Sequence, residues 1–183
     1  MTVIIVIVVV VVLAVVVVGM YNRLVRLRNR CENAWSQVDV QLQRRRDLIP
    51  NLVETVKGYA SHEKSTFEEV TKARTAAQQA QGVAETAAAE NMLTAAIGRL
   101  FAVAEAYPEL RATENFQQLQ RDLNEIEDEI QASRRIYNSN VQSYNTKIQI
   151  FPNSVIAGMS DFEAREFFEI ADPAEREPAE VKF

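Results

Sequence analysis

Apolar side chains fill the start of the chain without a break. From Val3 to Val18 every residue is Val, Ile, Leu or Ala, and Met1, Gly19, Met20 and Tyr21 extend the uncharged run. About twenty such residues cross a bilayer as a helix. Val and Ile favour strands in water, but in lipid every backbone N–H and C=O needs an internal partner, which forces a helix. A cleaved signal peptide is the competing reading. Against it, no Lys or Arg precedes the run, its apolar core is long and no Ala-x-Ala site follows. Arg23, Arg26, Arg28 and Arg30 come directly after, so the positive-inside rule predicts the N-terminus outside and the rest of the chain in the cytoplasm.

Beyond Tyr21 the pattern becomes periodic. Leu24, Leu27, Cys31, Trp35, Val38, Leu42, Ile49, Leu52, Val56 and Tyr59 are spaced by threes, fours and sevens, which predicts one helical stripe. It passes Pro50 in register, so Pro50 is read as a kink inside a helix that leaves the Arg46 carbonyl without its usual partner. Gly58 reads as a C-cap, and Ser65 with Glu68 as a capping box. A second helix is predicted over about 65–80, with Phe67 and Val70 apolar and Gly82 marking its end. A third, over about 86–106, carries Leu93, Ile97, Leu100, Phe101 and Ala104 and is closed by Pro108. The strongest stripe is Phe116, Leu119, Leu123, Ile126, Ile130, Ser133, Tyr137, Val141, Tyr144 and Ile148, a coiled-coil-like seam with a stutter at Tyr137–Val141. Pro152 breaks this helix, and "FEAREFFEI" suits a short amphipathic helix.

The expected fold is all-α, an N-terminal transmembrane helix continuing into an antiparallel four-helix bundle with two long and two short helices. Its expected parts are an anchor (1–21), a bundle (22–150), a membrane-proximal loop with a short helix (151–171) and a polar tail (172–183). Arg44, Arg45 and Arg46 then lie about 24 residues past Tyr21, roughly 35 Å along a helix. Charges are screened over about 8 Å at physiological salt, so these arginines are no lipid-headgroup patch. On the returning helix the same height falls at "EIEDE", and Arg44, Arg45 and Arg46 are expected to pair with Glu125, Glu127, Asp128 and Glu129, within one chain or between two, and so fix helix register.

Nearer the bilayer the short helices give no cover. Leu24, Leu27, Trp35, Val38, Tyr137, Val141, Tyr144 and Ile148 are therefore expected to form an exposed apolar assembly surface. Phe162, Phe167 and Phe168 are expected to touch lipid or a neighbouring subunit.

Composition narrows the chemistry. With 183 residues, 48% of them hydrophobic, the chain can bury a core, and its net charge of −5 argues against nucleic acid as a partner. Cys31 is the single cysteine, so an internal disulfide is excluded; it lies on an apolar stripe, where a buried thiol is the expectation. His62 is the single histidine. With Glu63 and Glu68 or Glu69 it would lack a second strong ligand, so neither a metal nor another cofactor is expected. With no Gly-rich phosphate loop and no Gly-x-Ser-x-Gly, neither an enzyme nor a small-molecule substrate is expected.

Several long stretches carry a family resemblance: "YNRLVRLRN", "VDVQLQRRRDLIPNLVETVKGYASHE", "YPELRATENFQQLQ" and "YNSNVQSYNTKIQIFPNSVIAGMSDFEAREFFE". Through these, nearly all of residues 21–183 resembles the LemA family. The resemblance implies a membrane-anchored helical bundle of bacterial type, a scaffold associated with membrane processes and with membrane-bound zinc metalloproteases, and it supplies no catalytic residues. The expected function is a scaffold that self-assembles or organises membrane partners, with the lipid bilayer and a homo-oligomer or another membrane protein as partners. A monomeric adaptor for another membrane protein, such as a zinc metalloprotease, is the alternative.

Overall fold

A computed structural model describes residues 1–169. These form six helices: α1 Thr2–Lys57, α2 Lys64–Gln79, α3 Gly82–Glu105, α4 Pro108–Arg111, α5 Glu114–Gln149 and α6 Asn153–Met159. No strand occurs among the described residues, so the all-α class holds. The expected tail, 172–183, lies outside them. The described chain divides into two compact units, one of Met1–Val38 with Ser133–Phe167, the other of Asp39–Ala132 with residues 168–169. Both α1 and α5 contribute to each.

The long stripe reads through Pro50 as expected, for α1 is unbroken over 56 residues. Pro50 has no N–H, so the Arg46 carbonyl loses its partner four residues on. Arg74 of α2 supplies a replacement, its Nε–H donating to that carbonyl at 2.8 Å. The core of this unit joins Ile49, Leu52 and Val56 of α1, Phe67 and Val70 of α2, Leu93, Ile97 and Leu100 of α3, and Phe116 and Leu123 of α5. Ala73, Ala77, Ala89 and Ala96 are buried among them and leave room for close helix approach. Phe101 and Phe116 meet edge to face at 5.9 Å.

One local expectation fails and two are extended. Helix α2 starts at Lys64 with Glu63 as its N-cap and no side-chain cap bond, so Ser65 and Glu68 form no capping box. The bond from the Phe67 N–H to the Glu63 carbonyl already closes the first turn there. Gly82 opens α3 instead of merely ending α2: at φ 77° it makes a turn that a side chain would strain, and Glu85 accepts the Gln81 N–H at 3.0 Å. Pro108 does not simply close α3 but starts α4, a first-turn position where its missing N–H costs nothing.

The larger correction concerns the other unit. Leu24, Val38, Tyr137, Val141, Tyr144 and Ile148 are buried within the chain, and Leu27 and Trp35 are half-buried, so the expected open apolar surface is covered. The cover is the segment expected to be a helix. Residues 162–169 form neither helix nor strand, and the helix in this region, α6, lies earlier, in "NSVIAGM". Side chains of α5 replace the backbone bonds that a helix would have made. Asn145 Oδ1 accepts the Arg165 N–H at 2.8 Å, Asn145 Nδ2 donates to the Arg165 carbonyl at 2.9 Å, and the Tyr137 hydroxyl donates to the Glu166 carbonyl at 2.8 Å. Arg165 also pairs with Glu32 of α1 at 2.7 Å. The three phenylalanines expected to face lipid or a neighbour therefore separate: Phe162 and Phe168 are buried and only Phe167 is exposed.

Candidate functional site

The arginines of "RRRDLIP" stand where α1 meets α2, α3 and α5. Arg45 and Arg46 flank the buried stripe between Leu42 and Ile49, and both are buried. One terminal nitrogen of Arg45 pairs with Glu90 of α3; the other donates to Glu127 of α5 at 2.8 Å and to the Thr94 hydroxyl at 3.0 Å. Arg46 Nη1 donates to the Ala77 carbonyl of α2 at 2.7 Å and lies 3.5 Å from Glu90 Oε1, and its Nη2 lies 3.3 Å from Asp39. Glu90 is wholly buried and shared by both guanidiniums. Arginine's planar fork suits such a site because it presents several donors in fixed directions.

Taking each ion out of water costs several kcal/mol, which only close opposite charge and completed hydrogen bonds offset. Completion is nearly reached. Arg45 Nε, Arg46 Nε and Glu90 Oε1 have no hydrogen-bond partner, although the last lies in the ion pair with Arg46. The cluster joins side chains or backbone of four helices, α1, α2, α3 and α5.

Of the acids expected to meet these arginines, one does so. Arg45 does reach "EIEDE", within one chain, through Glu127. Glu125, Asp128 and Glu129 are exposed, because Leu123, Ile126 and Ile130 take the inward face of α5 and only Glu127 borders it. Arg44 is exposed and donates to Gln41 at 2.9 Å, beside a shallow cleft of about 280 Å³ also lined by Asp47, Asp122 and Glu125. Glu90 was the missed partner. Its signal is a lone acid on the α3 stripe, between Ala87 and Leu93 with Ile97 beyond.

In the unit of residues 1–38 and 133–167 the buried polar groups are neutral. Burial pushes the Cys31 thiol up from its ordinary value, against the pull of Arg165 and with help from Glu32. Burial likewise pushes the Tyr137 phenol up to about 12 and raises Tyr144, in both cases against Arg165. Cys31 is buried, as its place on the stripe implied. His62 is exposed in the turn before α2. No group of three His, Cys, Asp or Glu among the described residues is placed to hold a metal ion.

Comparison with known proteins finds relatives by sequence. A sequence model described as "LemA family" matches residues 34–183. Protein LemA of Metamycoplasma hominis is 30% identical over 146 residues, covering 79% of this chain and 66% of the relative. Magnetosome protein MamQ 2 of Paramagnetospirillum magneticum is 28% identical over 175 residues, 81% of this chain and 64% of the relative. Magnetosome protein MamQ of Magnetospirillum gryphiswaldense is 26% identical over 174 residues, with the same coverage, 81% and 64%. The chain spans a little under two thirds of the length of these relatives.

Proposed function

The chain belongs to the LemA family, and on that footing we propose that it is a membrane-anchored, non-catalytic helical scaffold. The observation that carries this reading is α1. From Val3 to Val18 its side chains are exposed, apolar surface that lipid accepts and water disfavours by about 25 cal/mol per Å². The same helix then continues unbroken to Arg45, Arg46 and Lys57. It is long and apolar enough to cross a membrane. In this reading the N-terminus is outside and the rest of the chain is cytoplasmic, because Arg23, Arg26, Arg28 and Arg30 resist transfer. The relatives' names denote no reaction, which supports a non-catalytic role.

As a scaffold the protein self-assembles or organises membrane partners. The surface for this is not the stripe of Leu24 to Ile148, which the chain covers itself, but the exposed anchor. The test is the mass of the full-length protein in mild detergent, beside a version lacking residues 1–20. Several chains per particle for the first and one for the second is the expected result. A single chain per full-length particle, with no co-purified membrane protein, overturns the scaffold.

A further inference from the structure

Given the anchoring proposed above, we infer that the corner joining α5 to α6 rests in the lipid surface where α1 leaves the bilayer, a second membrane contact made by Phe151, Val155 and Met159. Register along α1 and α5 carries it. Trp35 of α1 packs on Tyr137 of α5, ring centroids 5.3 Å apart. Seven residues nearer the anchor, Arg28 acts electrostatically on Tyr144, which is seven residues further along α5. Seven residues span about 10.5 Å on each helix, so the two run antiparallel and in step. A third step of seven would bring the end of α5, just before Phe151, to about the level of Tyr21, where the uncharged run ends.

A separate set of contacts gives the same height. Beyond α6 the Phe162 ring stands edge-on to Tyr21 at 5.6 Å and lies 5.3 Å from the Arg28 guanidinium. The Phe162 N–H bonds to the Ala157 carbonyl at 3.2 Å, which ties α6 to that ring. The C-terminal end of α6 is thus held next to a ring that touches both Tyr21 and Arg28.

At that level the corner turns apolar groups outward. Phe151 is 81% exposed, Met159 82% and Val155 54%, while Asn153 and Ala157 hold the other face of α6 against the protein. Val155 and Met159, four residues apart, share one helical face. Tyr and Trp are enriched at this depth of a membrane, and Tyr21 ends the uncharged run. Arg23, Arg26 and Arg30 are exposed at the same end of α1 and suit phosphate headgroups, whereas the exposed Asp161 and Glu163 resist deeper entry. The lipid contact expected of Phe162 and Phe168 therefore passes to the residues before them.

The test is depth-dependent quenching of single tryptophans in the full-length chain, reconstituted in phospholipid vesicles carrying a nitroxide either near the headgroup or at the chain end. Trp35→Phe is combined in turn with Phe151→Trp, Val10→Trp or Gln37→Trp, each at an exposed position, and circular dichroism checks that helicity is kept. Phe151→Trp is expected to lose most fluorescence to the shallow nitroxide, Val10→Trp to the deep one and Gln37→Trp little to either. Quenching of Val10→Trp without Phe151→Trp overturns the corner contact and leaves the anchor standing. Loss of quenching at both positions overturns the anchor itself, and the corner with it. Blue-shifted Phe151→Trp emission that neither nitroxide reaches means a protein surface covers the corner, which also overturns the lipid contact.

Discussion

In residues 39–132 the polar atoms withdrawn from water are mainly charges, two guanidiniums around the buried carboxylate of Glu90. In residues 1–38 and 133–167 they are mainly neutral, a phenol and an amide bonded to the backbone of a non-helical segment. The two solutions differ in what a single loss does. Removing one member of a buried ionic set leaves its partners charged and unmatched, whereas removing a neutral donor leaves one carbonyl that shifts or takes up water. The charged unit should therefore be the more brittle of the two.

The sharpest way to break that contrast is Glu90→Ala. It leaves Arg45 with only the partly exposed Glu127 and Arg46 with only the exposed Asp39 as opposite charges, and is expected to lower unfolding free energy by about 3–5 kcal/mol, read by denaturant titration of helicity in detergent. A loss under about 1 kcal/mol means water already solvates the cluster.

Next comes the carbonyl that Pro50 orphans. Arg74→Met should cost about 1–3 kcal/mol, since a part-buried acceptor loses its donor. In a Pro50→Ala background the new N–H rebonds Arg46, so the same Arg74→Met change should cost much less. Equal costs in both backgrounds dispose of the link.

In the neutral unit Tyr137→Phe removes one hydrogen bond and should cost about 0.5–1.5 kcal/mol. Its clearer signature is in alkali. Because folding raises the Tyr137 phenol from 10.0 to about 12, its contribution is complete below pH 10 and fades as pH climbs towards 12. Thermal melts across that window should fall less steeply for Tyr137→Phe, though not flatten, since Cys31 and Tyr144 are raised too. An unchanged slope would remove Tyr137 from the account.

The smallest effect is expected at Arg99, whose pair with Glu69 is about half exposed on both sides. Arg99→Ala should change stability by about 0–1 kcal/mol and less at high salt. A cost matching that of Glu90→Ala would erase the distinction between buried and exposed charge.

How much of this was legible differs by residue. The passage of α1 through Pro50 could be read from the stripe because Ile49 and Leu52 keep helical spacing with Leu42 and Val56. That Arg46 would lose a carbonyl partner followed from proline chemistry; that Arg74 would supply another did not, since nothing local distinguishes Arg74 from other exposed-face arginines. Glu90 left a trace, an acid in an apolar register. Asn145 left none, because an asparagine on a helix flank looks the same whether it faces water or another stretch of backbone. The cover of residues 162–168 was missed for the opposite reason: "FEAREFFEI" has real helical spacing, overridden by partners 20 and 29 residues away.

Alone, the sequence determined the all-α class, the bilayer-length apolar run, the long stripes of α1 and α5 and the burial of Cys31. Each depends on neighbours within a few turns, where 3.6-residue periodicity and proline or glycine geometry act directly. Only the tertiary structure decided that Glu90 joins Arg45 and Arg46, that Glu127 outranks Glu125, and that the apolar stripe beside the anchor is closed by the chain itself. Those outcomes compare complete sets of distant partners, and a polar group taken from water goes wherever its last hydrogen bond can be made.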